Sequence, residues 1–458
     1  MGSSGSCRYF GTDGIRGQVG TAPITVDFML QLGWAVGRAF SEDYSGLEKQ
    51  DCHILIGKDT RISGYMFESA LEAGLVASGV NVGLLGVLPT PGIACLTNQS
   101  DAQAGIVISA SHNPYQDNGI KFFLGNGEKL PDSMELIIES FLDKPLQTRE
   151  SHLLGKAYRI HDAIFQYQRF CKNTVIDPFS QRPLDLKGLT LVVDCANGAT
   201  YQIAPALFAD LGACVIPIEN HPDGLNINAA CGSTALMTLT EKVLLEKADL
   251  GIAFDGDGDR VIMVDHTGAV VDGDTLLYLI TQYYLRSDRM RGGVVGTVMS
   301  NLGLEEALNA LNVPFKRSAV GDRYVMEILK KENWILGGEN SGHLICLDKT
   351  STGDGIISSL QVLSFMQQAQ QSLHQLAQGL NHYPQILINV PVILDKDPLD
   401  YPSIQSAIHV AEKKMQHGRI LLRRSGTEPV VRVMVEGEDP VQVKQVAEKL
   451  AAVVSSCQ

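Results

Sequence analysis

The sequence lacks the basic clusters and the long apolar runs that mark nucleic-acid-binding and membrane proteins. Its 458 residues include 37 lysines and arginines against 51 aspartates and glutamates, a formal net charge of −14. Because nucleic-acid phosphates are bound by clustered cations, we expect no nucleic-acid partner. No apolar stretch approaches the roughly 20 residues that cross a bilayer, so we expect no membrane segment. An anionic ligand would need a positive site built locally.

Paired cysteines are also absent from the sequence. The nine cysteines are scattered and form no CxxC motif, which argues against a zinc knuckle and against a disulfide framework. This pattern favours a reducing cytoplasm. The opening MGSSGS lacks the apolar core of a signal peptide and is left out of the fold prediction.

One pattern recurs along the chain: a short apolar strand, a polar or glycine-containing turn, a helix and a second strand. It begins at residues 53, 189 and 293, and each occurrence predicts a βαβ unit. Such alternation is typical of α/β domains with mixed sheets covered by helices. We predict three consecutive α/β domains followed by a smaller C-terminal α+β domain. Their predicted spans are residues 7–155, 156–259, 260–374 and 375–458.

The most specific motif is DGDGDR at residues 255–260, between two predicted strands. In an extended strand the outer two of its three aspartates would lie about 13 Å apart, so only a curled loop brings all three onto one ion. The interleaved glycines permit that curl, and an all-oxygen ligand set suits Mg²⁺. An EF-hand would need glycine and glutamate where Arg260 and His266 stand. The alternative is a solvated acidic turn.

A second motif, ISASHNP at residues 108–114, places polar residues directly after an apolar strand. A serine hydroxyl is a weak nucleophile unless a metal, a base or a phosphate already on its oxygen assists it. Ser111 is therefore a candidate phosphoryl carrier, with His112 beside it and Lys121 following a second turn. The alternative is an Asn-Pro turn in which the serine and histidine satisfy backbone groups.

Two further glycine-containing loops carry polar groups. GGENSGH at residues 337–343 offers an acid, an amide, a hydroxyl and an imidazole, which suits a polyhydroxy ligand. RRSGTEPVVR at residues 423–432 offers guanidinium groups, hydroxyls and open backbone N–H groups, which can bind a phosphate. The alternatives are a polar hairpin and a basic hairpin.

Taken in their order along the chain, ISASHNP, DGDGDR, GGENSGH and RRSGTEPVVR, the four motifs resemble those of the α-D-phosphohexomutase superfamily. The resemblance covers residues 8–458, and RYFGTDGIRG, GLNINAACGST and VGDRYV resemble its bacterial branch that isomerises glucosamine phosphates. It implies four domains around a central cleft. It also implies a cytoplasmic enzyme that interconverts glucosamine 6-phosphate and glucosamine 1-phosphate and so supplies UDP-N-acetylglucosamine for the cell envelope.

The resemblance also implies a role for each motif residue. Ser111 would carry the phosphoryl group, and Mg²⁺ would be held by that phosphate with Asp255, Asp257 and Asp259. The reacting phosphate would be lined by Arg16, His112, Lys121 and Arg260. The sugar would be contacted by Glu339, Asn340, Ser341 and His343. The second phosphate would be bound by Arg423, Ser425, Gly426, Thr427 and Arg432.

The implied mechanism is a relay through a sugar 1,6-bisphosphate. Glucosamine 1,6-bisphosphate, or another hexose 1,6-bisphosphate, would act as activator, and a phosphosugar would be the small-molecule partner. Either His343 or Lys121 could be the general base. A homodimer is a further expectation from the resemblance.

Three other functions remain open at this point. A phosphomannomutase or phosphoglucomutase would use the same apparatus on a neutral hexose. An inactive sugar-phosphate sensor would keep the binding loops alone. A Mg²⁺-dependent phosphatase would release inorganic phosphate and need no bisphosphate.

Overall fold

The computed structural model describes residues 7–42, 52–176, 183–391, 397, 400–415, 417–424 and 429–457. The nine cysteines all lie within these ranges, and each is a free thiol. Among the described helices, none has the length and apolar character needed to cross a membrane.

The first domain is a six-stranded mixed sheet with helices against it. Its elements are β1 (Ile15–Gln18), α1 (Val26–Glu42), β2 (His53–Lys58), α2 (Ile62–Ala77), β3 (Asn81–Val87), α3 (Thr90–Gln99), β4 (Ala104–Ile108), β5 (Asp117–Leu124), α4 (Asp132–Leu142) and β6 (Ala157–Arg159). The strand order is β1-β5-β4-β2-β3-β6. β2 runs parallel to β3 and β4, whereas β5 is antiparallel to β4. Every residue of β4 is buried because both faces of the sheet are covered.

The second domain is a five-stranded sheet in the order β11-β10-β9-β7-β8. Its elements are α5 (Ala163–Asn173), β7 (Thr190–Asp194), α6 (Ile203–Asp210), β8 (Cys214–Ile218), α7 (Met237–Glu246), β9 (Leu250–Phe254), β10 (Val261–Asp265) and β11 (Val270–Val271). β9 is parallel to β7 and antiparallel to β10. The DGDGDR motif therefore forms the turn between two fully buried neighbouring strands.

The third domain has a four-stranded sheet in the order β13-β12-β14-β15. Its elements are α8 (Gly273–Arg286), β12 (Val294–Thr297), α9 (Leu302–Ala310), β13 (Phe315–Ser318), α10 (Asp322–Glu332), β14 (Leu336–Gly338), β15 (Leu344–Cys346), α11 (Gly355–Ala369) and α12 (Leu373–Ala377). The antiparallel hairpin of β14 and β15 carries the GENSGH loop at its tip.

The fourth domain is a three-stranded antiparallel sheet in the order β16-β18-β17, covered by two helices. Its elements are β16 (Gln385–Pro391), α13 (Pro402–Lys414), β17 (Gly418–Arg424), β18 (Val430–Gly437) and α14 (Pro440–Ser455). The prediction of three α/β domains and a smaller α+β domain is confirmed.

The exact domain limits stay predictions, but two sheets extend beyond them. β6 lies after residue 155 and still pairs with β3, with Val82 opposite Ala157. β10 and β11 lie after residue 259 and complete the second sheet. Strand pairing, which local composition does not encode, sets these limits.

Candidate active site

Ser111 lies just after the carboxyl end of β4, and its side chain is almost fully buried. Its φ of 52° falls in the left-handed region, which costs a serine on the order of 1 kcal/mol. Several bonds hold it there. Its amide donates to the Ser109 hydroxyl at 2.9 Å, and its carbonyl accepts from Arg61 at 3.0 Å and from Asn228 at 2.9 Å.

Arg61 and Asp59, which follow β2, hold the whole serine loop. The Arg61 guanidinium is fully buried, pairs with Asp59 at 2.9 Å and donates to four loop carbonyls, those of Ser111, Asn113, Pro114 and Asp117. Asp59 also accepts from the Ser109 hydroxyl at 2.6 Å. Neither residue was among the predicted site residues. Because β2 and β4 are parallel neighbours, their carboxyl ends meet at one edge of the sheet, and this pairing brings Asp59 and Arg61 to the serine loop.

The curled DGDGDR loop brings its three carboxylates together beneath Ser111. One oxygen from each of Asp255, Asp257 and Asp259 lies within 4.8 Å of the others, and all three residues are buried. The Ser111 hydroxyl donates to Asp255 Oδ2 at 2.6 Å. A Cβ at Gly256 would lie 2.6 Å from the Ser111 carbonyl oxygen, so the close approach of the two loops requires glycine there.

The carboxylate cluster fits a hard divalent cation. The Oδ1 atoms of Asp257 and Asp259 are buried and have no hydrogen-bond partner among the described residues. Burial, together with the neighbouring Asp259 and Asp257, raises the pKa of Asp255 well above its usual range. A cluster of three carboxylates, two of which have an oxygen without a hydrogen bond, is the donor set that Mg²⁺ prefers.

Lys121 extends from β5 into this cluster. Its ammonium lies 2.8 Å from Asp257, 3.3 Å from Asp259 and 3.3 Å from Asp13. Burial alone would lower the pKa of Lys121, but these three acids raise it above its usual value. The lysine is therefore a buried cation within the carboxylate cluster.

Charged side chains continue from this cluster across three domains. Lys129 contacts Asp13 at 2.5 Å and Asp322 at 2.6 Å, which joins the first domain to the third. His343 lies 3.5 Å from Asp322 and 3.6 Å from Asp259. Burial opposes charge on His343, but Asp259 and Asp322 raise its pKa to about 9. Asp13, Lys129 and Asp322 were not among the predicted site residues, because Lys129 lies 116 positions from Asp13 and in a different domain from Asp322.

Three further predicted residues lie around Ser111. His112 Nδ1 is 3.4 Å from the Ser111 hydroxyl, and burial with the nearby Arg260 and Arg16 lowers the pKa of His112 to about 4. The Arg260 amide donates to Asp255 at 3.2 Å. Arg16, on β1, pairs with Asp13. The guanidinium groups of Arg16 and Arg260 therefore lie near His112.

The GENSGH loop lies beside the amino end of α10. Glu339 accepts from the Gly321 amide at 2.8 Å and from the Ser341 hydroxyl at 3.2 Å. The Asn340 carbonyl accepts from the Gly273 amide at 3.1 Å. Gly342 has a φ of 90°, and a Cβ there would lie 2.1 Å from the Val261 carbonyl oxygen. The loop therefore packs directly on β10, the strand that follows the DGDGDR loop.

The predicted phosphate-binding hairpin is described only in part, because Ser425, Gly426 and Thr427 lie outside the described residues. Arg423 and Arg432 stand opposite each other on β17 and β18. Burial and the proximity of Arg432 lower the pKa of Arg423. Two adjacent guanidinium groups repel each other, and an anion between them would relieve that repulsion.

Family comparisons cover nearly the whole chain. The models for phosphoglucomutase/phosphomannomutase match as alpha/beta/alpha domains I, II and III at residues 7–149, 167–268 and 272–383, and as the C-terminal domain at residues 387–453. A phosphoglucosamine mutase of Pseudomonas aeruginosa is 58% identical over 98% of this chain and 99% of its own length. That of Azotobacter vinelandii is 56% identical over the same shares.

Solved structures show the same fold. A phosphoglucomutase/phosphomannomutase family protein from Burkholderia thailandensis has a TM-score of 0.80 at 22% identity, covering 98% of this chain and 97% of that one. An N-acetylphosphoglucosamine mutase from Aspergillus fumigatus, in complex with GlcNAc-6P and magnesium, has a TM-score of 0.66 at 16% identity, covering 100% and 97%. The chain therefore belongs to the phosphoglucomutase/phosphomannomutase family, within the phosphohexomutase superfamily that its motifs predict.

Proposed function

We propose that the chain interconverts glucosamine 6-phosphate and glucosamine 1-phosphate through a phosphorylated Ser111. The observation that carries this proposal is the 2.6 Å hydrogen bond from the Ser111 hydroxyl to Asp255, within the buried carboxylate cluster. A serine held at that point can exchange a phosphoryl group beside a bound Mg²⁺. The amino-sugar substrate is supported by the full-length similarity to phosphoglucosamine mutases.

The proposed reaction has two transfers. Phospho-Ser111 gives its phosphoryl group to the sugar O1, which forms the 1,6-bisphosphate and leaves a free serine hydroxyl. The intermediate turns round in the cleft, and the phosphoryl group on O6 returns to Ser111. The product is glucosamine 1-phosphate, and the enzyme regains its phosphate.

Each group of side chains has a part in this reaction. Asp255, Asp257 and Asp259 would hold Mg²⁺, which supplies charge neutralisation to the transferring phosphoryl group. Lys121, Arg16 and Arg260 bind the phosphate oxygens and stabilise the charge that develops on them.

Side chains that contact the sugar ring and the second phosphate complete the proposed site. Glu339, Asn340, Ser341 and His343 orient the ring. Arg423 and Arg432 bind the phosphate that is not reacting, together with Ser425, Gly426 and Thr427.

Three finer points belong to the same proposal. A hexose 1,6-bisphosphate would activate the enzyme by restoring any Ser111 that loses its phosphate. Cytoplasmic location is supported by the nine free thiols, which suit a reducing compartment. The proposed assembly is a homodimer.

Intact-mass spectrometry with peptide mapping tests the proposal. The wild-type protein and Ser111→Ala are treated with glucosamine 1,6-bisphosphate and Mg²⁺, and then with glucosamine 6-phosphate. We expect one phosphate on Ser111 that the monophosphate discharges, and none on the variant. Ser140→Ala, at an exposed serine of α4 outside the site, controls for the assignment.

The outcomes separate the competing functions. A Ser111 that never takes phosphate would refute the relay. Discharge only by glucose or mannose phosphates would keep the relay and make the chain a neutral-hexose mutase. Stoichiometric release of inorganic phosphate would indicate a phosphatase.

A further inference from the structure

Thr90, the first residue of α3, makes two contacts with a single aspartate of the carboxylate cluster. Its hydroxyl donates to Asp257 Oδ2 at 2.6 Å, and its backbone amide donates to the Asp257 carbonyl at 2.9 Å. Thr90 is 2% exposed, so water does not compete for either bond. The two residues belong to different domains and are 167 positions apart in the chain.

The turn before α3 fixes Thr90 in place. Pro89 precedes the helix with a φ of −54°, and Pro91 lies in its first turn, so the backbone is restricted on both sides of Thr90. Pro89 also packs on the metal loop: a Cβ at Gly258 would lie 3.2 Å from the Pro89 Cβ. The hydroxyl therefore reaches Asp257 from a rigid element.

The three carboxylates are held in different ways. Asp255 accepts from two amides of its own loop, those of Gly258 and Arg260. Asp259 faces the charged groups of Lys121 and His343. Asp257 shares Lys121 with Asp259, and in the described part of the chain its only neutral side-chain donor is Thr90.

The two carboxylate oxygens of Asp257 differ in their hydrogen bonds. Thr90 and Lys121 both donate to Oδ2. Oδ1 is buried and has no hydrogen-bond partner among the described residues. A side chain bound through one oxygen presents the other one to a cation at lower entropic cost.

We infer that Thr90 is a positioning residue of the metal site. Its hydroxyl orients Asp257 so that Oδ1 is available to Mg²⁺ before the ion arrives. Hydrogen-bonding partners of metal ligands commonly contribute 10- to 100-fold to metal affinity, in order of magnitude. The inference rests on the proposed Mg²⁺ site and adds a residue to it.

Two substitutions at Thr90 isolate the hydroxyl. Thr90→Val keeps the shape of the side chain and removes the donor, whereas Thr90→Ser keeps the donor and removes a methyl group. Thr97→Val is the matched control, because Thr97 is a buried threonine of the same helix whose hydroxyl donates only to the Ile93 carbonyl, at 2.8 Å. Wild type and all three variants are titrated with Mg²⁺ by calorimetry, in phosphate-free buffer and with the same measured phosphate content on Ser111.

We expect Thr90→Val to bind Mg²⁺ at least about tenfold more weakly than wild type, with Thr90→Ser and Thr97→Val close to wild type. Turnover of Thr90→Val should recover at saturating Mg²⁺, which a merely structural defect would not allow. Unchanged Mg²⁺ affinity in Thr90→Val, or an equal loss in Thr97→Val, would overturn the inference.

Two further results keep the test decisive. Should Thr90→Val fail to fold, Thr90→Ala must show the same weakened binding, and wild-type affinity in Thr90→Ala would refute the inference. Should the wild-type protein itself bind no Mg²⁺, the proposed metal site is wrong, an outcome distinct from failure at Thr90 alone.

Discussion

Domains one to three are joined by one hydrophobic cluster, beside which the first domain has a second cluster of its own, whereas the core of the fourth domain is entirely separate. A single cluster of buried apolar side chains runs from Leu55 in the first sheet through the second domain to Leu380. The core of the fourth domain is a separate cluster between Val390 and Val454. Rotating the first three domains against one another would expose apolar surface, and displacing the fourth would expose much less.

Polar contacts join the fourth domain to the third. Arg419 of β17 donates to the Val298 carbonyl at 2.9 Å and to the Ser300 carbonyl at 2.8 Å. It also pairs with Glu436, which is completely buried and accepts from the Leu302 amide at 3.0 Å. Such contacts can be exchanged for water at modest net cost.

This division matches the chemistry proposed for the two parts. The serine loop, the carboxylates and the GENSGH loop lie on the shared core, where phosphoryl transfer needs fixed geometry. The guanidinium groups of Arg423 and Arg432 lie on the separate unit. A bisphosphate that must turn round in the cleft requires one phosphate-binding element to release and bind again, and the fourth domain is the element that can do so.

The largest expected difference between the two parts of the molecule comes from Mg²⁺. Domains one to three are called the shared-core unit here. Because Mg²⁺ would bind only the shared-core unit, it should raise the melting temperature of that unit and leave the fourth domain unchanged. Asp255→Asn keeps the shape of the ligand and removes its charge. We expect it to abolish this shift and to lower turnover by about 10³-fold. Differential scanning calorimetry with Mg²⁺ or EDTA measures the shift.

Asp439→Asn is the control for this experiment. Asp439 caps α14 of the fourth domain through the Val441 amide at 2.9 Å, and asparagine caps a helix equally well. The control should keep the full Mg²⁺ shift. An equal Mg²⁺ shift in both units, or a single transition throughout, would contradict the division into two units.

The second largest expected effect comes from Arg419→Ala, at the contact between the third and fourth domains. It leaves the Glu436 carboxylate buried without its cation, which should weaken docking of the fourth domain by about 2–3 kcal/mol. Limited proteolysis and calorimetry should show that domain unfolding earlier, while the Mg²⁺ shift of the other unit is retained.

The double variant Arg419→Ala with Glu436→Gln sharpens this test. It removes the uncompensated charge, so part of the lost stability should return. If Arg419→Ala instead lowered the melting temperature of the Mg²⁺-sensitive unit, the two units would not be separable at this junction.

Local sequence carried the information for the two loops that meet at Ser111. The DGDGDR curl follows from alternating acids and glycines, and the structure brings the three carboxylates together as expected. Ser111 was a candidate because polar residues follow a wholly apolar strand, and the structure places its hydroxyl against Asp255 of the carboxylate cluster. Each motif is a few residues long, so the spacing of its residues in the sequence largely determines the geometry of its loop.

The residues that hold those loops could not be found in this way. Thr90 contacts Asp257 across 167 positions, and Lys129 contacts Asp322 across two domains. Arg61 binds a loop 50 residues away, although the parallel strands β2 and β4 indicate that their ends meet. Contacts of this kind depend on how sheets and domains pack, which no local spacing encodes.

The smallest expected effect concerns Glu135, on α4 in the shared-core unit, which is 8% exposed. Burial and the nearby Asp132 raise the pKa of Glu135 from 4.5 to about 7, against a lowering effect of Arg323. Below pH 4.5 the group is neutral in both the folded and the unfolded chain. As pH rises from 4.5 to about 7, the unfolded chain loses its proton first, so the folded state loses stability across that window.

Glu135→Gln should therefore match wild type in acid and exceed it above neutrality. Allowing for solvent screening of a partly solvated group, we expect a gain of about 1–2 kcal/mol in the free energy of unfolding at pH 8 relative to pH 5. Glu327→Gln, at an exposed acid on the facing helix α10, should leave the pH dependence of wild type intact. Because Glu135 lies in the shared-core unit, only the Mg²⁺-sensitive transition should move with the substitution. A pH-dependent gain that appeared in the fourth domain's transition would mean that the two cores unfold together.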